Sequence, residues 1–358
     1  MKRQHIDSIF YLRLFAMLMV VLVHVTGTYQ TVLPEGSDAF QKYHFLNRFI
    51  RIEAGIFLML TGLVFFYNFF RKDLSPAVFR DYYKKRVVYI LVPYLIWALF
   101  YEFYASYTIG RELDVIGVAE RILQGKSYYQ LHFIFLIVQF YLVFPLLILL
   151  AKKFRWFRRY MWLIGIVVHL LYNYLNTRFN LVGFGLFLNS MTPYLLGGWI
   201  GIYYEEQKGK IHNNFTTLMS GIVFFVSGTS LVYLNYHLYT VGTFHLDSFY
   251  YTVNEVLFIV TGCYFLYRMA EILHIKAVPA VRKTVKHVAV YSFGFYLIHP
   301  FVLKEVTRWI PVHNNYWFHV EMAARYALTV LLCYLIILSF HRFVPGASLI
   351  FGKLPKRK

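Results

Sequence analysis

The chain has 358 residues, 59% of them hydrophobic and only 15% charged, with 36 Phe and 32 Tyr. A composition so apolar over this length excludes a soluble enzyme and a disordered chain, and it predicts an integral membrane protein with several spans. The formal charge of +19 does not indicate a nucleic-acid partner, because the basic residues punctuate apolar segments, as the positive-inside rule requires, and are not gathered in one soluble stretch.

The first element, Ser8 to Tyr29, reads SIFYLRLFAMLMVVLVHVTGTY and is long enough to cross a bilayer, which takes about 20 residues at 1.5 Å rise each. It carries Arg13 and His24. Eleven steps of about 100° bring the two side chains within some 20° of one another, on one face and about 16 Å apart along the axis. An ionisable residue inside a span costs several kcal/mol and usually faces a bundle interior or a wet cavity. Two readings follow. Arg13 snorkels to the near interface while His24 bonds a neighbouring helix, or a catalytic or transport path runs along this face. Lys2 and Arg3 resemble the start of a signal peptide, but the apolar run is too long and no small-x-small cleavage site follows, so a retained first helix is expected.

Nine further spans follow, at approximately 46–70, 87–108, 131–151, 160–176, 189–204, 215–235, 250–270, 288–304 and 321–341. The predicted fold is therefore all-α: a single polytopic bundle of about ten spans over residues 1–358, with no soluble appendage. An even number of spans puts both ends on one side. That side carries 25 Lys and Arg against 9 on the other, so the N- and C-termini are expected inside. Short basic loops and the tail KLPKRK suit an anionic inner surface. Cys263 and Cys333 both fall within spans, which predicts buried free thiols and no metal site.

Polar residues within the spans mark candidate sites. The second span opens with Arg48, Arg51 and Glu53, of which Arg51 and Glu53 are too close in sequence to face each other on a helix. Thr61-Gly62 lets a neighbouring helix approach closely. Before the third span stand Lys84, Lys85 and Arg86, and Pro93 is expected to kink that helix and open a crevice near its inner half. Basic groups at such a mouth suit a phosphate-rich cytosolic molecule, or they simply anchor the protein. The fourth span places His132 near the outer face, with Gln139 on the same side. In the ninth, Ser292 and His299 share a face, with Tyr296 one turn after Ser292. Glu53, His132, Ser292, Tyr296 and His299 are thus expected around a solvent-filled outer cavity at the level of His24. No metalloprotease, serine-hydrolase, P-loop, dinucleotide or EF-hand spacing is present.

Arg13-x10-His24 resembles the signature of the membrane-bound acyltransferase-3 family. Five more stretches match in order: RIEAGIFLMLTG, KKRVVYILVPYLIW, YYQLHFIFLIVQFYLVFP, YLLGGWIGIYY and SFGFYLIHPFVL. The Tyr89 variant of the third stretch resembles the intercellular-adhesin polysaccharide O-acyltransferase subgroup of Gram-positive bacteria. The chain departs from the family pattern at Tyr89, where a second Arg or Lys is common. It also departs at Gln130 and His132, in place of His and Trp, at Thr61 in place of Ser, and at Glu53 in place of a small residue.

The resemblance implies a multi-pass enzyme of the bacterial plasma membrane. It would take an acyl group, acetyl or alternatively succinyl, from cytosolic acyl-CoA to a hydroxyl of a surface glycan or its lipid-linked precursor, with no bound cofactor. His24 would be the essential histidine, Arg13 its partner, and Arg86 with Lys85 the donor-binding pair. Arg51, Glu53, His132, Ser292, Tyr296 and His299 would bind or support the acceptor. A neutral imidazole can act as general base towards the hydroxyl, and His24 as an acyl carrier is the other route left open. The expected partners are the bilayer, acyl-CoA, the glycan and its synthesis machinery. The alternative from another class is a sugar transporter that uses His24, Glu53 and His299 as a relay.

Overall fold

The computed structural model describes residues 5–354, so Lys2, Arg3 and the last basic residues of the tail lie outside it. In chain order the α-helices are α1 (Ile9–Thr26), α2 (Asp38–Phe49), α3 (Ile52–Phe69), α4 (Pro76–Arg86), α5 (Val92–Ile109), α6 (Val115–Leu123), α7 (Leu131–Lys153), α8 (Arg155–Arg159), α9 (Met161–Phe179), α10 (Met191–Ile202), α11 (Tyr204–Gly209), α12 (Asn214–Asn235), α13 (Ser248–Lys276), α14 (Pro279–Ala289), α15 (Ser292–Trp309), α16 (Phe318–Phe343) and α17 (Ala347–Phe351). No strand occurs among the described residues. Seven helical stretches are long and apolar enough to cross a membrane: residues 9–31, 38–69, 76–109, 131–153, 214–240, 248–276 and 318–343.

Helices α9, α10 and α15 occupy the three remaining predicted spans. Helix α10 has only 12 residues, about 18 Å of rise, and ten of them are buried. It is an internal helix, shielded from lipid by its neighbours, and for that reason need not match the bilayer in length.

Two predicted spans differ in detail from the structure. The second is broken at Ile50–Arg51, so that residues 38–49 form the separate helix α2. Ser37 caps α2 by accepting from the Phe40 N–H, and the buried Asn47 amide donates to Val23 O at 2.7 Å and Thr26 Oγ1 at 3.0 Å. These bonds dock α2 on the end of α1. In the third span, a π-helical turn at Val87–Leu91 ends two residues before Pro93. Proline supplies no N–H and crowds the carbonyl four residues back, and the wider turn accommodates both.

Helix α1 lies at the centre. Eleven of its 18 residues are buried, and it packs against α3, α13, α14, α15 and α16. One apolar cluster joins its second half to α5, α15 and α16, and another joins its first half to α3, α12 and α13. Helices α3 and α10 cross most closely. A Cβ on Gly62 would stand 2.1 Å from Tyr194 O, and one on Gly197 would stand 1.9 Å from Met59 O. The backbones touch there because both residues lack side chains, the close approach that Thr61-Gly62 predicts.

Candidate active site

The polar face of α1 joins two unlike environments. At the Arg13 end lies a cavity of about 240 Å³, lined by Arg13, Ser292, Tyr296 and Lys353 among mostly apolar and aromatic side chains. No acidic residue lines it. Arg13 makes no ion pair among the described residues, and its guanidinium carbon lies 5.8 Å from the Phe10 ring centroid. Arg86 stands behind the cavity wall, 4.5 Å from the ring centroid of Phe65 and 5.5 Å from that of Tyr141, both lining residues. Its Nε is buried without a hydrogen-bond acceptor. A cationic, acid-free pocket of this kind attracts an anion.

The other end, around His24, is prearranged by hydrogen bonding. The His24 ring packs 4.6 Å from Tyr129 and 5.2 Å from His299, centroid to centroid. His299 is fully buried, and its Nδ1 lies 3.0 Å from both Phe295 O and Tyr296 O. The sequence explains the second contact. Pro300 has no N–H, so the Tyr296 carbonyl loses its helical donor, and the imidazole one residue earlier supplies a proton instead. With Nδ1 as donor, Nε2 carries the lone pair, and no described group bonds it. Tyr101 secures the same turn, donating to Leu297 O at 2.8 Å and accepting from Phe301 N at 3.3 Å.

Tyr296 links the two environments. It lines the Arg13 cavity, its ring centroid is 6.0 Å from that of His299, and its hydroxyl donates to Gln130 O. Ser292 also lines the Arg13 cavity, which corrects the expectation that it sits beside His299 in an outer cavity. Seven residues give a shared face but separate the two by about 10 Å of depth.

Other predicted site residues lie elsewhere. Lys85 is exposed and paired to Asp81 at 2.6 Å, so the cavity cation beside Arg13 is Lys353. His132 is exposed on a face of α7 turned to the loop at Gly185, where a Cβ would meet its ring at 2.3 Å. Gln139 shares that face, donating to Gly185 O at 2.9 Å and accepting from Phe187 N at 3.0 Å. Arg51 donates to Asn47 Oδ1 from Nη2 at 3.2 Å. Glu53 forms no ion pair with Arg51, Arg13 or His24, and its buried Oε2 has no hydrogen-bond partner.

Sequence reasoning did not single out Tyr129, Asn47 or Lys353. Tyr129 lies two residues before the fourth predicted span, which begins at residue 131, and a tyrosine in a loop carries no periodic signal. Lys353 lies in a basic tail, where anchoring is the ordinary reading. Asn47 stands among Lys42, His44, Arg48 and Arg51, where one more polar residue carries no signal.

A family profile described as "Acyltransferase domain" matches residues 6–338. Among the relatives are two Staphylococcus epidermidis proteins, both named "Probable poly-beta-1,6-N-acetyl-D-glucosamine export protein". Each is 24% identical over 331 residues, covering 86% of this chain and 83% of the relative. No solved structure matches the chain.

Proposed function

The chain belongs to the membrane-bound acyltransferase-3 family, and from that premise we propose that it moves an acyl group from cytosolic acyl-CoA to a hydroxyl of a cell-surface polysaccharide or its lipid-linked precursor. Acetyl is the favoured group. In this reading the Arg13 end faces the cytoplasm of a bacterial plasma membrane, as the 25-to-9 bias in Lys and Arg favours.

The observation that carries the proposal is the acid-free, cationic cavity on the same α1 face that presents His24 to a tautomer-fixed His299. At about 240 Å³ the cavity suits a slender chain better than a nucleotide. The pantetheine arm would run inside, past Tyr296 towards His24, with the phosphates at the cavity mouth beside Arg13 and the charge of Arg86 behind the wall. At the far end the acceptor hydroxyl would give its proton to the neutral His24 imidazole as its oxygen attacks the thioester carbonyl. The C–S bond then breaks, the C–O ester bond remains, and the leaving thiolate takes up a proton from His24. Arg51 and Glu53 would be the groups that meet the sugar.

The name of the Staphylococcus relatives, an export protein, favours a second reading, in which the protein moves sugar without modifying it. One assay separates the two. Purified protein given acetyl-CoA and an oligosaccharide acceptor should release free thiol and form an ester in equal amounts. Transport of unmodified sugar with no thiol release would overturn the transferase reading.

A further inference from the structure

Lys353 lies outside the spans, yet it lines the cavity that contains Arg13. Its place there is built by specific contacts. Gly346 begins α17 with φ of 77°, and α17 folds back beneath α5. Phe351 is buried, its ring 5.6 Å from Trp97 and 5.3 Å from Phe340, and Trp97 Nε1 donates to Ile350 O at 2.9 Å. Gly352 then turns the chain with φ of 80°, a left-handed conformation that glycine adopts freely. A Cβ there would stand 2.5 Å from Phe293 Cδ1, so glycine is required twice over. The turn delivers Lys353, whose Nζ lies 4.8 Å from the Tyr89 ring centroid. The ammonium makes no ion pair among the described residues, and no acid lines the cavity to neutralise it.

We propose that Lys353 is a binding residue for the phosphates of the thioester donor, and that residues 346–353 form the floor on which those phosphates rest. This rests on the acyl-CoA reading for the identity of the ligand. An ammonium packed against an aromatic face keeps its three donors free on the open side, where a phosphate oxygen can meet them. Arg13 and Lys353, approaching from opposite ends of the sequence, would then flank one anion.

The test uses the full chain in detergent, with coenzyme A and phosphate-free pantetheine as probes. Lys353→Met keeps the stem and removes the charge. It should weaken coenzyme A binding roughly tenfold and leave pantetheine binding unchanged, while Lys353→Arg stays within about twofold of the parent. At saturating donor, kcat for Lys353→Met should match the parent while KM for the donor rises. Equal coenzyme A affinity in Lys353→Met and parent overturns the proposal. So does an equal loss for both probes, which would make the tail a structural floor only. Binding is read without turnover. A parent that binds coenzyme A through Lys353 but releases no thiol would therefore sink the transferase reading and leave this one standing.

Discussion

The two ends of the polar face of α1 satisfy the same cost in opposite ways. At the His24 end, the polar groups of one turn of α15 are satisfied within the bundle: Pro300 removes a donor, His299 replaces it, and Tyr101 of α5 holds the adjoining carbonyl. At the Arg13 end, cations from distant parts of the chain converge, and no acidic group among the described residues neutralises them. Keeping charges uncompensated in an apolar bundle is unfavourable. A site organised around a neutral, tautomer-defined imidazole is prepared for proton transfer. A site of unpaired cations is incomplete until an anion arrives. The contrast implies that substitutions at one end should alter chemistry and at the other end affinity.

The largest effect should come from His24→Ala, which removes the imidazole and nothing that packs the cationic cavity. Turnover should fall by about 10²–10⁴, the usual worth of a positioned general base, with coenzyme A affinity unchanged. Equal losses in kcat and donor affinity would break the division between the two ends.

Next in size are Arg13→Gln and Arg86→Gln. Each should weaken coenzyme A binding roughly tenfold while leaving kcat at saturating donor within about threefold. The loss should be greater at 10 mM than at 100 mM salt, because the screening length shrinks from about 30 Å to about 10 Å across that range. Titration calorimetry at both salt levels measures it, and donor affinities equal to that of the parent would return both residues to packing roles.

The relation of these residues to the sequence is uneven for physical reasons. Helical periodicity places Arg13 and His24 on one face of α1, and the need to hide polar groups turns that face inward, so the axis of the site was legible. So was a close helix contact at Thr61-Gly62, although only the structure shows that its partner is α10 at Gly197. Depth was harder. Ser292 and His299 share a face of α15, yet one lines the Arg13 cavity and the other meets His24. Choice between neighbours was harder still: Lys85 and Arg86 differ by about 100° of rotation. Asp81, four residues before Lys85, was the available clue that Lys85 turns to the surface. Lys353 was out of reach, because its position depends on packing of Phe351 against Trp97, 254 positions earlier in the chain, a contact no local pattern encodes.

A smaller effect is expected from Pro300→Ala. The new N–H would compete with His299 Nδ1 for the Tyr296 carbonyl, loosening the tautomer without removing the ring. His299 would still have Phe295 O as an acceptor, so kcat should fall only about threefold to tenfold, with no change in donor affinity. A kcat equal to that of the parent would mean that the orphaned carbonyl does not govern the histidine. The measurement is a steady-state titration of both substrates, which separates this effect from altered acceptor binding.

The smallest effects should come from Lys85→Ala and His132→Cys. Lys85 is held at the surface by Asp81, and His132 faces the loop at Gly185, away from His24. Neither variant should change kcat or the KM for donor by more than about twofold, the scale of ordinary surface substitutions. The second variant also reports on orientation. In a background with Cys263 and Cys333 replaced, both buried in the parent, a cysteine at 132 is the sole thiol. His132 lies at the start of α7, near the end of the bundle that carries His24, and it is exposed. A membrane-impermeant thiol reagent added outside intact cells should therefore label it. Labelling only after the cytoplasmic face is opened would reverse the orientation, place the Arg13 cavity outside, and remove the route by which a cytosolic thioester could reach it.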